Sequence, residues 1–271
     1  MRLTGKAADF LALHVPGAPL LQPNAFDVGS ARLLESLGFL AIATTSSGAA
    51  ATLGRVDGSI DRAGALAHSA ALADAVAIPV AGDTENGYAD DPASVAAFVT
   101  EAARTGLAGC SIEDWSGTAT YEIGYAAERI AAAAEAAHDG PSQLVLTARA
   151  DGGFHGTDDL DSVIRRLHAY SAAGADVLFA PGFAALEDIR RIIGETDKPV
   201  NVLVNALVGD GCPPLEQIAA AGAARISVGG SLAWVAYGAV IEAARELKES
   251  GTFGYSEQVL AAREAVRSVL R

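Results

Sequence analysis

Short apolar runs rich in valine, isoleucine and leucine alternate along the chain with longer alanine-rich stretches whose polar residues recur at helical spacing. Runs at 20–24, 40–44, 79–83, 109–113, 144–149, 176–181, 200–204 and 225–228 predict strands. Most are apolar throughout, as strands covered on both faces are. Stretches at 31–38, 62–76, 92–105, 126–138, 160–173, 186–193, 215–221 and 231–247 predict helices, several of them followed by glycine. Eight strand–helix pairs in succession make this an α/β chain with a parallel sheet. The count fits a closed (β/α)8 TIM-type barrel better than an open doubly wound sheet. A further helical pattern at 257–269 follows a break at 249–254 and is surplus to the eight. The chain 1–271 thus reads as one barrel domain. Its C-terminal helix, 255–269, is expected to bury its apolar face on its own barrel or on a neighbouring subunit.

Composition narrows the partners. Apolar residues make up 51% of the chain and charged residues 19%, which fits an ordered globular interior. The 19 Lys and Arg against 33 Asp and Glu give a formal charge of −14, so no basic excess exists to displace phosphate counterions and nucleic acid is not an expected partner. No apolar stretch approaches the roughly 18 residues that span a bilayer, and the apolar segment 10–13 is too short for a secretion signal. No membrane association and a cytoplasmic location are therefore expected. Cys110 and Cys212 stand in unrelated contexts, consistent with reduced thiols; Cys110 reads as core. His14, His68, His138 and His168 fall on or near helix surfaces and read as solvated.

In such a barrel, reactive groups project from the C-terminal strand ends and the loops beyond them. Three successive strand ends deliver Asp83 and Glu85, then Glu113 and Asp114, then Arg149 and Asp151. Crowded carboxylates repel and raise one another's pKa unless a cation sits among them. An all-oxygen donor set favours Mg²⁺, with Mn²⁺ as a substitute, over zinc. The competing explanation is that these side chains cap helices or pair with Arg149. The small, hydroxyl-rich segment 44–57 offers backbone N–H groups and the Thr45 hydroxyl to an anionic oxygen, although its glycine Gly48 also suits a plain turn. Asn201, on an otherwise apolar strand, suits either a ligand or a backbone partner. Gly229, Gly230 and Ser231 open a helix after the eighth strand and suit a phosphate.

The ordered series Asn24-Ala-Phe-Asp27, Thr44 to Asp57, Asp83-Thr-Glu-Asn-Gly-Tyr88, Ile112-Glu-Asp114, Ala148-Arg-Ala-Asp151, Pro199-Val-Asn-Val202 and Arg225-Ile-Ser-Val-Gly-Gly230 resembles the isocitrate lyase and phosphoenolpyruvate mutase superfamily, in particular its short bacterial barrels. The resemblance implies a barrel whose eighth helix is exchanged with a neighbouring subunit, giving a homodimer or homotetramer. It also implies Mg²⁺-dependent making or breaking of a C–C or P–C bond beside a small 2-oxo or 2-hydroxy carboxylate. Asp83 resembles the carboxylate that touches the metal, and Asp57, Glu85 and Glu113 those that hold it, chiefly through water. Arg149 matches the arginine facing the substrate carboxylate, and Thr45 with Ser46, Ser47 and Gly48 the segment that grips it.

The residues that select the reaction differ. Where the lyases of the superfamily carry a cysteine motif, and the phosphonopyruvate enzymes a lysine and an asparagine, this chain reads Trp115-Ser-Gly-Thr-Ala-Thr-Tyr121. The sixth strand ends Phe179-Ala-Pro-Gly182, without the family's histidine or glutamate. Tyr121 and His155 are the replacement candidates for acid or base. The resemblance thus implies a Mg²⁺-dependent lyase cleaving a C–C bond of a small di- or tricarboxylate through a metal-stabilised enolate. The alternatives are a hydrolase or decarboxylase of an oxaloacetate-like or phosphonopyruvate-like acid, a sugar-phosphate enzyme, and a 2-oxo acid binder without turnover.

Overall fold

A computed structural model describes residues 3–204, 211–267 and 269. Every predicted strand forms, and all neighbouring strands run parallel. The first stave is broken in two by Pro23, into β1 (Leu20–Gln22) and β2 (Asn24–Ala25). Then follow β3 (Ile42–Thr44), β4 (Val80–Asp83), β5 (Gly109–Glu113), β6 (Val145–Arg149), β7 (Val177–Phe179), β8 (Val200–Leu203) and β9 (Arg225–Ser227). The lower half of the broken stave pairs with β9 and its upper half with β3, so this one stave joins the last strand to the second and closes the ring. Proline has no N–H to give, but its carbonyl still accepts from Ala43 N at 3.0 Å. On either side, the side chains of Gln22 and Asn24 donate to the carbonyls of Ile42 and Thr44, at 3.1 and 2.7 Å, and stitch the seam.

Around the ring lie α2 (Val28–Ser36), α4 (Arg62–Ala75), α5 (Pro92–Ala103), α6 (Ile123–Asp139), α7 (Leu160–Ala172), α8 (Leu186–Gly194) and α9 (Leu215–Ala220). Carboxylates start five of them, α6 through Glu122, which accepts the amides of Gly124 and Tyr125. Asp27, Asp61, Asp91 and Asp159 each accept the backbone N–H three residues on, a cap worth about 1 kcal/mol. The capping box of Asp27 and Ser30 starts α2 at residue 28, earlier than the apolar pattern alone predicts.

Two helices were not expected. One, α1 (Gly5–Ala12), seals the N-terminal end of the barrel, packing Ala7 and Phe10 with Leu20, Ala41, Ala108, Val145 and Val177. The other, α3 (Ser46–Thr52), is a short turn of helix capped by Thr45. Between barrel and outer helices lies the main core, with Phe98, Ile112, Leu144, Leu146, Leu167 and Leu178 all fully buried.

Inside the ring the middle layer is small or polar. Ala43, Ala81, Ser111 and Thr147 stand where barrels usually carry bulky branched side chains. They leave a cavity of about 330 Å³.

The C-terminal helices α10 (Ser231–Ser250) and α11 (Ser256–Val266) bury only Ala233 between them. Trp234, Val235, Val240, Ile241, Phe253, Val259 and Leu260 are exposed there. Among the described residues no helix is long and apolar enough to cross a membrane.

Three of the four histidines read as solvated are not. His14 is buried beneath the barrel. The Nε2 of His68 is buried without a partner, and His138 pairs with Asp176 at 2.9 Å. His168 is exposed. Cys110 lies in the core, where burial pushes its thiol up to about 12.

Candidate active site

The mouth of the cavity is built from the ends of β3 to β6. Beyond β3, the Thr45 hydroxyl accepts Gly48 N at 3.3 Å and lies 3.1 Å from the Ser47 hydroxyl, which turns the chain into α3. The first free amide of that helix, Ser46 N, donates to Asp83 Oδ2 at 3.0 Å. From below, Asp83 N donates to the Thr44 hydroxyl at 2.8 Å, so the tip of β4 is held from both sides. Gly48 itself does not line the cavity. A Cβ there would meet Thr45 Cγ2 at 2.6 Å and Phe26 Cβ at 2.8 Å, so glycine is required by close packing and not by a special turn.

Arg149, ending β6, reaches Glu113 at 3.2 Å and Asp83 at 3.6 Å with one nitrogen. Its other edge forms a two-point pair with Asp151, Nη2 lying 2.9 Å from Oδ2. Burial opposes its charge, but Asp151, Glu113 and Asp83 outweigh that and hold it protonated. The rings of Phe154 and Phe179 flank the guanidinium, 5.9 and 5.4 Å from their centres.

The neighbouring carboxylates are under strain of their own. The turn after β4 has left-handed φ at Glu85 (46°), Gly87 (77°) and Tyr88 (54°), and it returns the Glu85 carbonyl to Glu113 N at 3.0 Å. Burial, with Asp83 and Asp57 nearby, raises the Glu85 carboxyl to about 7. Burial also raises Asp57, with Asp83 adding to it. It pushes Glu113 well above the usual carboxylate range against the pull of Arg149, and Asp151, Asp83 and Glu85 add to the rise. Glu85 Oε1 is buried with no hydrogen-bond partner.

A buried carboxylate oxygen without a protein partner, among carboxyls raised by burial and by one another, is a donor set suited to a cation, and Asp57, Asp83, Glu85 and Glu113 fit a hydrated divalent ion. Among the described residues no three His, Cys, Asp or Glu stand close enough to form a direct cage. The fit is therefore to an ion held largely through its water shell.

Thr45, Ser46, Ser47, Asp57, Asp83, Arg149 and Asn201 all line the cavity. The amide of Asn201 donates to the Ser227 hydroxyl at 2.9 Å, while its Oδ1 is buried and unpartnered.

Tyr121 and His155 are not brought to the cavity. The Tyr121 hydroxyl donates to Asp90 at 2.5 Å, and its ring lies 4.1 Å from the guanidinium carbon of Arg129. His155 stacks on Trp115 with ring centres 3.8 Å apart, its Nε2 lying 3.4 Å from Asp151. Asp114 is likewise structural. It accepts from Asp151 N, Arg166 and Tyr170 at 2.7, 3.2 and 2.5 Å. Gly229, Gly230 and Ser231 do line the cavity, but the amides of Val228 and Gly229 are taken by Asn24 Oδ1 at 3.1 and 2.9 Å, which disfavours a phosphate cradle there.

Sequence reasoning missed the deeper lining residues Gln22, Asn24, Arg225 and Ser227. Their signal is the period of two: polar side chains at alternate positions of apolar strands mark one face, here the inner one.

A sequence profile described as phosphoenolpyruvate phosphomutase matches residues 10–248. The chain is 35% identical over 196 residues to Mycobacterium tuberculosis Rv1998c, itself uncharacterized, covering 72% of this chain and 73% of that one. It is 32% identical over 211 residues to oxaloacetate decarboxylase of Rhodopseudomonas palustris, covering 74% and 68%. A Burkholderia cenocepacia structure provisionally described as a lyase/mutase superposes with a TM-score of 0.92 at 43% identity, over 97% of this chain and 95% of that one. The structure of a 2,3-dimethylmalate lyase superposes with a TM-score of 0.82 at 27% identity, over 93% and 90%. The chain belongs to the phosphoenolpyruvate phosphomutase family, within the isocitrate lyase and phosphoenolpyruvate mutase superfamily of lyases and mutases.

Proposed function

We propose that this enzyme is a Mg²⁺-dependent lyase that cleaves a C–C bond in a small 2-oxo or 2-hydroxy di- or tricarboxylate. The observation that carries this is Arg149, fixed at the mouth of the cavity by Asp83, Glu113 and Asp151, with Thr45 and Ser46 lining the same cavity. A bound Mg²⁺ would supply positive charge that draws electrons from the breaking bond. Arg149 binds and orients the substrate carboxylate through directional, charge-assisted hydrogen bonds. The Thr45 hydroxyl and the α3 turn add neutral donors on the opposite side. Phe154, Phe179 and Trp234 give the cavity apolar walls.

A second reading is favoured by the absence of any Lys or His with a free side chain at the mouth among the described lining residues. Decarboxylation of an oxaloacetate-like acid needs only a proton from water once CO2 has left, and R. palustris oxaloacetate decarboxylase is a relative. Incubating the protein with Mg²⁺ and a panel of 2-oxo and 2-hydroxy acids, and following glyoxylate, pyruvate, CO2 and phosphate, separates the two. No turnover of any member, with Asp83→Ala indistinguishable from the parent, would leave only a binding role.

The same proposal extends to assembly. The bare apolar faces of α10 and α11 are suited to cover a second copy of this chain, giving a dimer or tetramer. Light scattering on the purified protein tests this, and a monomer at micromolar concentration would exclude it.

A further inference from the structure

Arg129, Arg149, Arg166 and Arg225 all lie inside the fold and differ in what answers their charge. Four backbone carbonyls surround Arg129. Arg166 pairs with Asp114 and Asp158, and Arg149 with three carboxylates. Among the described residues no carboxylate pairs with Arg225, and burial is the one influence that moves its guanidinium, down to about 9.

Arg225 opens β9 with 5% of its surface exposed and lines the cavity at the end away from the mouth. One terminal nitrogen donates to the Thr147 hydroxyl at 3.1 Å. The other lies 3.2 Å from His14 Nε2. His14 Nδ1 lies 3.0 Å from the Phe10 carbonyl and donates to it, which leaves Nε2 as the acceptor. Burial, and then Arg225 itself, push His14 down to about 3, so this ring is neutral and brings no counter-charge. The Nε of Arg225 is buried with no partner. The other polar groups of the floor, from Gln22, Ser111, Asn201 and Ser227, are uncharged. One cavity thus has carboxylates at its mouth and an unanswered cation at its floor.

Keeping an unpaired charge in a low-dielectric interior is costly unless something of opposite charge joins it there. We infer that Arg225 is the floor of an anion subsite that takes the far carboxylate of the ligand whose near carboxylate meets Arg149, so that the cavity selects diacids by their end charge. The near end of this assignment rests on the proposed function. Thr147, which holds Arg225, precedes Arg149 by two residues on β6, roughly 7 Å of strand, a span that suits a diacid of four to six carbons.

Two measurements test it. In calorimetric titrations with Mg²⁺, 2-oxoglutarate and 2-oxovalerate form a matched pair of equal chain length, one ending in a carboxylate and the other in a methyl group. The expected preference for 2-oxoglutarate is about tenfold or more. Arg225→Gln should bring that ratio to about one while leaving the affinity for 2-oxovalerate unchanged, which also reports that the variant is folded. Arg225→Lys should keep part of the preference. A ratio unchanged by Arg225→Gln overturns the inference.

Independently, crystals soaked in bromide should show anomalous density against the Arg225 guanidinium. Density absent there, in protein that binds 2-oxoglutarate, overturns the floor subsite and leaves the proposed reaction standing. Bromide at Arg225 with no 2-oxo acid bound supports the subsite and removes the proposed reaction.

Discussion

Arg149 and Arg225 line the same cavity and sit in opposite electrostatic settings. Arg149 is surrounded by Asp83, Glu113 and Asp151 and is locked in its charged form. Arg225 has a hydroxyl, a neutral imidazole and an unsatisfied Nε. The mouth therefore gathers carboxylates, whose donor set suits a cation, whereas the floor holds a buried positive charge without a carboxylate among the described residues, which we assign to an anion. A ligand that chelates a divalent ion at one end and carries a second carboxylate at the other matches both.

The largest expected break in this contrast comes from Arg149→Met. It should lower kcat/KM by about 10²–10³-fold and destabilise metal-free protein by about 3–5 kcal/mol, because three carboxylates lose their partner. Urea unfolding should show Mg²⁺ restoring part of that loss.

Next is a pair of opposed pH slopes in metal-free protein. Glu85 is raised to about 7 from an ordinary 4.5, so the folded state holds an extra proton between those values and stability falls as pH rises through them. His14 is lowered to about 3 from 6.5, so the folded state refuses a proton that the unfolded chain takes, and stability falls as pH drops through that window. Each slope should amount to about 1–3 kcal/mol. Glu85→Gln should reduce only the first, leaving the share of Asp57 and Glu113, and His14→Asn only the second, read from unfolding free energies between pH 4 and 8.

A smaller change of opposite sign to that of Arg149 follows from Arg225→Met. In buffer free of small anions it should stabilise the protein by about 1 kcal/mol, since an unanswered buried charge is removed. A loss of several kcal/mol would instead mean that Arg225 is a structural strut. The least effect is expected from Tyr121→Phe. It should cost about 0.5–1 kcal/mol through the lost Asp90 hydrogen bond and leave kcat within about twofold, whereas a drop of about 10²-fold would make Tyr121 the acid.

The mouth was legible in the sequence and the floor was not, for a physical reason. Asp83, Glu113 and Arg149 sit at strand ends, where the apolar run stops and a polar side chain announces itself. Arg225 begins a strand and reads like any residue at the edge of a loop. Its inward direction shows only in its alternation with Ser227 across Ile226 and in register, opposite Leu20 on one side and Asn201 on the other. The two unexpected helices tell a similar story. Ser46–Thr52 is a run of serine, glycine, alanine and threonine with no apolar stripe, made helical by its Thr45 cap and by close packing at Gly48. In α1, the apolar segment around Phe10 is too short to stand out in the sequence, and its role as a plug comes from packing against strand residues distant in sequence. Eight repeats of strand and helix, by contrast, are a pattern that tertiary context has little need to override.

His14 and Arg225 meet across 211 positions of sequence. The base of the cavity thus requires two residues from distant parts of the chain, with the broken stave at Pro23 needing β9 before the circle can shut. Without β9 the cavity has no Arg225 and β1 has no partner on that side. Bromide or diacid binding at Arg225 would therefore double as a marker of complete barrel closure, distinguishing a finished molecule from one that has only assembled its rim.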